Sequence, residues 1–342
     1  MKIARAAGRQ SDCWRNNCAT SAKPSTAACG CCLRPLRLRN VEATRPACAC
    51  DGGIALTPAP TNPPRALILC GGGARGAMEV GFYQAITELD LTFDLIVASS
   101  VGALNGALIA AGLSPAELAD QWGRIRRRDI VAWDWRGLLS AQGGILTLRP
   151  LHRLLEHVLP VSRFEALCHP LVIATTNLNT GGVHYWHSEG DLIEPLIASM
   201  SLPGVFPPVW LEGQQHVDGG VASNVPFKPA LERGIRDMLL ILCTCCPAAE
   251  RTLRSPLAIL FRSFSIALNA KYLSDLAHYQ RQDVSIQAVN PSFPDDVELL
   301  DFTQTRALIR AGYEQTLAAF NATASREILS TDRARIASEL RT

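Results

Sequence analysis

The sequence lacks a strong charge of either sign, a long apolar run and a recognisable export signal. Its 33 lysines and arginines nearly balance 31 aspartates and glutamates, so the net charge of +2 gives no whole-chain electrostatic case for nucleic-acid binding. No apolar run reaches the roughly 18 residues that span a bilayer, and polar side chains interrupt residues 1–25, where a signal peptide needs a continuous apolar stretch. We therefore expect a cytoplasmic or peripheral membrane protein without a transmembrane segment or signal peptide.

What the sequence does contain is a globular composition preceded by an unusual amino-terminal part. The 342 residues are 48% hydrophobic and 19% charged, which favours a folded domain with a sizeable core. Residues 1–60 carry nine basic and three acidic groups and seven of the 12 cysteines, without apolar periodicity or the paired C-x2-C spacing typical of zinc sites. We interpret residues 1–64 as a disordered Cys- and Arg-rich extension, or as the result of a start codon assigned too far upstream. A metal site there is the less favoured alternative.

From residue 65 onward, buried apolar runs alternate with helical patterns. Apolar runs predict strands over 66–70, 95–98, 171–175, 183–186, 215–217 and 238–243, and a further run of residues spans 285–289. Helical spacing predicts helices over 77–89, 102–111 and 151–158, a long amphipathic helix over 256–282 and two last helices from residue 303. This order predicts an α/β fold in which helices cover a parallel or mixed sheet, with ligands near the carboxyl ends of the strands.

The first predicted strand ends in a glycine-rich loop, Gly71-Gly72-Gly73-Ala74-Arg75-Gly76. Its backbone N–H groups could converge on an anion, either the pyrophosphate of a dinucleotide or the oxyanion of an acyl-transfer reaction. The dinucleotide alternative needs an acidic residue at the end of the next strand, but Asp94 precedes that strand and Ser99-Ser100 end it. The pattern therefore favours an oxyanion hole.

The second strand leads into the turn Ala98-Ser99-Ser100-Val101-Gly102, which nearly matches the G-x-S-x-G nucleophile elbow. Such a sharp turn requires small residues two positions before and two positions after the nucleophile. Around Ser100 these are Ala98 and Gly102, whereas around Ser99 they are two valines. Ser100 is therefore the candidate nucleophile, and the alternative is that it only caps the following helix.

A candidate base lies in Val217-Asp218-Gly219-Gly220, where a short strand would deliver a carboxylate into a glycine turn. The alternative is an ordinary Asp-Gly turn. A Ser-His-Asp triad also stays open, since His278 follows Asp218 in the order Ser, Asp, His. None of the seven histidines has a distinguishing context; they are at positions 152, 157, 169, 184, 187, 216 and 278.

Three motifs together resemble those of the patatin-like phospholipase family: G-G-G-x-R-G, then x-x-S-x-G about 25 residues later, then D-G-G. Three further stretches match: Ala198-Ser-Met-Ser-Leu-Pro-Gly-Val-Phe-Pro-Pro208, Ser223-Asn224-Val-Pro226 and Leu300-Asp-Phe302. The resemblance covers about residues 66–315. It implies a three-layer α/β sandwich with a mostly parallel central sheet, in which residues 65–320 form the catalytic domain around a core of 66–231 and residues 321–342 add a C-terminal helix.

The resemblance also implies a lipid acyl hydrolase of the phospholipase A or esterase type, with a lipid substrate and possible peripheral membrane contact. Ser100 then corresponds to the nucleophile and Asp218 to the proton acceptor, and no histidine, cofactor or metal is required. The glycine loop, mainly Gly72 and Gly73, corresponds to the oxyanion hole. One departure is Ala98, which replaces the first glycine of the elbow.

Two further interpretations accompany this one. A non-catalytic module that binds a nucleotide or an acyl group through the glycine loop is the alternative function. The segment from Trp122 to Trp135 mixes cations with amphipathic rings and could contact anionic lipid. The simpler interpretation is that this segment is a solvated helix end followed by a partly buried loop. Between its two end residues it contains Arg124, Arg126, Arg127, Arg128 and Trp133.

Overall fold

The computed structural model describes residues 63–133, 146–223, 225–243, 252–254, 256–279, 283–293 and 297–339. These residues belong to one compact unit. Residues 1–62, Trp135 and Asn224 lie outside the described residues. What the sequence indicates about them stays a prediction.

The described strands are β1 Arg65–Leu69, β2 Leu95–Ser99, β3 Ala132–Trp133, β4 Leu146–Thr147, β5 Leu171–Asn177, β6 Val183–His187, β7 Val209–Leu211, β8 Gln214–Asp218, β9 Asp237–Ile241 and β10 Ser285–Val289. Eight of them form one sheet in the order β10-β9-β1-β2-β5-β8-β7, with β6 also paired to β5. Neighbours from β10 to β5 in this order pair in parallel, whereas β5 pairs antiparallel with β6 and β8, and β8 pairs antiparallel with β7. Strands β3 and β4 form a separate antiparallel ladder.

Helices flank this sheet, which confirms the predicted α/β class with a mostly parallel sheet. The helices are α1 Ala77–Glu88, α2 Val101–Ala110, α3 Pro115–Arg124, α4 Arg127–Ile130, α5 Arg149–Val158, α6 Ile193–Ser199, α7 Gly220–Ser223, α8 Lys228–Glu232, α9 Pro256–Tyr279 and α10 Thr305–Glu339. Short 3-10 helices span Gly73–Gly76 and Phe164–Ala166. No helix in the described part of the chain is long and apolar enough to cross a membrane.

The core lies around the central strands β1, β2 and β5. All seven residues of β5 and all five of β2 are buried, as expected for parallel strands covered on both faces. Helix α2 is buried along its whole length and begins directly after Ser100. The carboxyl ends of β1 and β2 therefore bring the glycine loop and the serine turn to the same edge of the sheet.

Several elements differ from the sequence-based expectations; the bounds of helix α3 and the two-residue strands β3 and β4, for example, were not predicted. Strand β7 was not expected, and α10 is one helix that runs through residue 320 where two helices were predicted. Helix α9 forms where predicted but is not amphipathic, because Ile259, Ile266 and Leu273 are exposed on it. Hydrophobic spacing indicates that a segment is helical, but it does not show how many of its faces the fold covers.

Candidate active site

Ser100 occupies a strained turn between β2 and α2. Its backbone has φ 55° and ψ −133°, a conformation that non-glycine residues adopt at a cost of about 1–3 kcal/mol. The side chain makes no capping hydrogen bond to α2. Instead, its Oγ donates a hydrogen bond of 2.6 Å to Asp218 Oδ2. The alternative that Ser100 only caps the helix is therefore wrong.

The neighbouring Ser99 lies inside the fold. It is fully buried, and its Oγ has no hydrogen-bond partner among the described residues. A Cβ built on Gly219 would lie only 2.7 Å from that oxygen. The hydroxyl of Ser99 is thus enclosed against the glycine turn, while that of Ser100 borders a pocket.

The elbow needs small residues, although the closest neighbours differ from those expected. A Cβ on Gly102 would come within 2.7 Å of the Leu69 backbone, so close packing on β1 excludes a side chain there. The methyl group of Ala98 is buried and faces α2 at Gly106, where an added Cβ would lie 3.2 Å away. The fold therefore accommodates Ala98 beside a second glycine.

Asp218 ends β8 and is only 3% exposed. Its Oδ2 accepts from Ser100, and its Oδ1 accepts from the backbone N–H of Gly220 at 2.8 Å. Burial raises the pKa of Asp218 to about 6, and the two hydrogen bonds oppose that rise. The carboxyl group can therefore change protonation state near neutral pH, as a proton acceptor must.

Among the described residues, the hydrogen bonds shown for the Asp218 carboxylate come from Ser100 and Gly220, one to each oxygen, and not from a histidine. His216, two residues before Asp218, is buried and its Nδ1 lies 3.0 Å from Thr175 Oγ1. The described geometry thus brings together a serine and an aspartate, and gives no support to the triad alternative.

The glycine loop borders the same pocket, but only some of its amides are available. The Ala74 N–H donates to Leu299 O at 2.8 Å, and the Arg75 N–H donates to Gly72 O at 3.2 Å. These two predicted members of the oxyanion hole already have backbone partners, and Gly76 ends the 3-10 helix. Within the described residues the N–H groups of Gly72 and Gly73 have none, so they are the candidate donors.

Packing explains why these two positions are glycine. Gly73 has φ 57°, and a Cβ there would collide with the carbonyl oxygen of Leu299. A Cβ on Gly72 would lie 2.7 Å from Cys243 Cβ. The loop is thus pressed between two neighbouring segments, which fixes the direction of its amides.

Apart from the loop, the Ser100–Asp218 pair, Arg75 and Ser265, the residues that line this pocket are apolar or aromatic. Helices α2, α3 and α9 and the segments around residues 200–206 and 299–302 form its walls. Typical lining side chains are Leu104, Trp122, Phe206, Phe264, Leu268 and Phe302. Such walls suit a hydrocarbon chain better than a nucleotide.

Sequence reasoning missed the contacts of one segment, residues 199–201. The fully buried Ser199 accepts a hydrogen bond from the Ser100 N–H at 2.9 Å and donates one to Ala174 O at 2.8 Å. The carbonyl oxygen of Ser201 accepts from the Asp218 N–H at 2.9 Å. One short segment therefore contacts both members of the serine–aspartate pair. The only sequence signal was the matching stretch from Ala198, to which no role was assigned.

A second buried carboxyl group lies behind the glycine loop. Glu79 of α1 is fully buried, and its Oε2 accepts from Asn105 Nδ2 at 2.7 Å. The Oδ1 atom of Asn105 accepts a hydrogen bond of 2.6 Å from Trp122 Nε1. Burial raises the pKa of Glu79 well above its usual range.

Glu79 also belongs to a set of possible metal ligands. The ligand atoms of Cys70, Glu79 and Cys243 lie within 4.8 Å of one another, and all three residues are buried. The Cys243 Sγ to Glu79 Oε1 distance is 3.7 Å. Sequence spacing did not reveal this set, because Cys70 and Cys243 are brought together only by the pairing of β1 with β9.

In this α/β fold, a serine–carboxylate pair lies at a strand-to-helix turn, beside a glycine loop and an apolar pocket. This arrangement resembles the sites of serine hydrolases. The family model for patatin-like phospholipase matches residues 67–231, which contain the loop, the serine and the aspartate. Residues 67–231 are therefore similar to the patatin-like phospholipases.

Relatives with this domain are much longer proteins. The chain is 29% identical over 178 residues to lysophospholipase NTE1 of Cryptococcus neoformans, covering 51% of this chain and 11% of that protein. It is 30% identical over 191 residues to patatin-like phospholipase domain-containing protein 7 of Mus musculus, covering 52% and 13%. The match thus spans about a tenth of these relatives.

Solved structures give a weaker likeness. VipD of Legionella pneumophila has a TM-score of 0.42 and 13% identity, with 76% of this chain and 67% of that chain covered. ExoU of Pseudomonas aeruginosa, in complex with SpcU, has a TM-score of 0.41 and 14% identity, with 76% and 52% covered.

Proposed function

We propose that this protein is a serine lipid acyl hydrolase of the phospholipase A or esterase type, with Ser100 as nucleophile and Asp218 as base. The 2.6 Å hydrogen bond from the Ser100 hydroxyl to Asp218, at the edge of an apolar pocket, carries the proposal. The family match and relatives named lysophospholipases support the substrate class, a lipid carboxylic ester.

In the first half-reaction, Ser100 Oγ attacks the ester carbonyl carbon while Asp218 accepts the hydroxyl proton. The carbonyl oxygen becomes an oxyanion, and the N–H groups of Gly72 and Gly73 would stabilise it. One such donor contributes about 3–4 kcal/mol in comparable sites. Collapse of the tetrahedral intermediate breaks the ester C–O bond, the proton on Asp218 passes to the departing alcohol, and the acyl group stays on Ser100.

In the second half-reaction, water replaces the alcohol. Asp218 removes a proton from the water as its oxygen attacks the acyl-serine carbonyl, and the same glycine amides stabilise the second oxyanion. Collapse returns the proton to Ser100 Oγ and releases the carboxylic acid. The sum is hydrolysis of one ester bond, and no metal or cofactor enters the proposed chemistry.

The environment of Asp218 supports its role as a base. A free aspartate with a pKa of about 3.9 is a weak base for a hydroxyl group. Burial raises the pKa of Asp218 to about 6, so the carboxylate is ionised at pH 7 yet accepts a proton more readily than in water. The apolar walls of the pocket would hold the acyl chain, and a lipid substrate would bring the protein to a membrane surface as a peripheral partner.

Hydrolysis of a short, water-soluble acyl ester tests the proposal directly. Ser100→Ala should abolish turnover, because it removes the nucleophile. Ser99→Ala is the matched control and should keep much of the activity, because the Ser99 hydroxyl is enclosed by the fold. Full activity in purified, folded Ser100→Ala would overturn the assignment.

A further inference from the structure

Helix α9 (Pro256–Tyr279) has one apolar face that belongs to the fold. Phe264 and Leu268 line the pocket, and Tyr272 is buried. These residues are four apart, so they form one stripe along the helix. This inner stripe forms a wall of the pocket that borders Ser100.

The opposite face of α9 is also apolar, and it is exposed. Ile259, Ile266 and Leu273 are 47%, 52% and 54% exposed. Their spacing of seven residues, two helical turns, places them on one line, about half a turn of the helix away from Leu268. We call these three residues the outer stripe. Helices that are apolar on two opposite faces are normally covered on both of those faces.

We propose that the outer stripe docks on an anionic lipid surface and so holds the pocket against its substrate source. This inference rests on the proposed function, because it identifies the surface through which that site meets lipid. A lipid surface fits the stripe because half-buried aliphatic side chains on a helix are what an interfacial helix inserts among acyl chains.

Apolar surface continues from α9 to the pocket wall. Leu260 is 50% exposed and lies over the turn at Gly204, where a Cβ would be 3.7 Å from its Cδ2. The next two residues in that turn, Val205 and Phe206, line the pocket. A surface contacting α9 would therefore also contact the edge of the pocket.

The charge on another wall indicates an anionic partner. Ile125 and Ile130 line the pocket, and the four arginines next to them are exposed: Arg124, Arg126, Arg127 and Arg128. Arg124 is paired with Asp120 and Arg128 lies near Asp129, whereas Arg126 and Arg127 have no salt bridge to a carboxylate among the described residues. Basic side chains beside an apolar helix bind anionic lipid more strongly than neutral lipid.

The test is co-sedimentation of the full-length protein with vesicles of phosphatidylcholine containing phosphatidylglycerol. The triple variant Ile259→Ser, Ile266→Ser, Leu273→Ser should bind at least about 10-fold more weakly, since its helix loses the apolar area that would insert. Its hydrolysis of a soluble ester should stay within about twofold of the wild type, because none of the three residues lines the pocket. Leu178→Ser, a leucine 49% exposed after β5, is the matched control and should bind normally.

A second arm tests the charge. Arg126→Gln with Arg127→Gln should weaken binding to the anionic vesicles, and the difference from wild type should shrink in high salt or with pure phosphatidylcholine. Wild-type binding by the triple variant, or an equal loss in Leu178→Ser, would overturn the proposal. So would a fall in the molecular mass of the lipid-free triple variant, which would show that the stripe contacts a second copy. Failure of the proposed function would appear separately, as absent soluble-ester hydrolysis.

Discussion

Two buried carboxyl groups lie on either side of the glycine loop, and they differ in what they face. Asp218 borders the apolar pocket and holds the hydroxyl group of Ser100. Glu79 is enclosed behind the loop and is held by the amide of Asn105. Burial raises the pKa of both, to about 6 for Asp218 and well above the usual range for Glu79.

The comparison shows that burial alone does not make a carboxyl group useful as a base. Asp218 receives hydrogen bonds from Ser100 and Gly220, which limit the rise of its pKa to the range where it can be ionised at neutral pH. Glu79 also accepts hydrogen bonds, from Asn105 and from the buried Cys243 thiol, but neither of these partners lines the pocket. We therefore interpret Glu79 as part of the support behind the loop, and Asp218 as the base.

The largest expected effect separates the two carboxyl groups by activity. Asp218→Asn should reduce kcat on a soluble ester at least about 10²-fold, given the usual contribution of general acid–base catalysis. Glu79→Gln retains an acceptor for Asn105 and should stay within about threefold. Circular dichroism should show both variants folded. An equal loss in a folded Glu79→Gln protein would break the comparison.

The next effect concerns how Ser100 is held. Ser199→Ala leaves the Ser100 N–H without its buried acceptor, so we expect kcat to fall about tenfold with little change in KM. Ser201→Ala is the matched control, because that buried hydroxyl donates to Ile197 O and does not touch the pair. Equal kcat losses in both variants would mean that packing, and not the contact with Ser100, matters.

The pH dependence of the reaction also distinguishes the two carboxyl groups. Asp218 accepts a proton only when ionised, so kcat/KM on a soluble ester should rise about tenfold per pH unit below about 6 and level off above neutrality. Glu79→Gln should leave this midpoint unchanged. A midpoint near the value of a free aspartate, or one that moves in Glu79→Gln, would contradict the assignment of the base.

Removal of metal ions should have no effect on activity. Cys70, Glu79 and Cys243 form the set of potential metal ligands found among the described residues, yet the proposed chemistry uses only Ser100, Asp218 and backbone amides. Treatment with a strong chelator should leave soluble-ester hydrolysis unchanged. If the chelator abolished activity and zinc restored it, a metal ion bound near Glu79 would be needed for hydrolysis.

Much of the fold could be predicted because the central strands are continuous apolar runs. The predicted strand over 95–98 differs from β2 by one residue, and that over 66–70 differs from β1 by one residue at each end. The exposed face of α9 and the single helix α10 could not be predicted, because helical spacing does not reveal which faces are covered. Strand β7 is only three residues long, too short for a pattern.

In the candidate site, too, some features could be predicted from the sequence and others could not. Local size rules distinguished Ser100 from Ser99, and the structure places one beside the pocket and encloses the other. The contact between Ser199 and Ser100 joins residues 99 positions apart, and the bond from Ala74 to Leu299 depends on a segment late in the chain. Such contacts follow from tertiary packing, so spacing within a motif carries no sign of them.

Reaction with an active-site fluorophosphonate, followed by mapping of the modified peptide, identifies the nucleophile and shows whether Asp218 activates it. Because the probe needs an activated serine, the account predicts a single adduct on Ser100, formed much more slowly in Asp218→Asn and at the wild-type rate in Glu79→Gln. An adduct on Ser99 or on another serine, or equal labelling rates in wild type and Asp218→Asn, would contradict the claim that Asp218 activates Ser100.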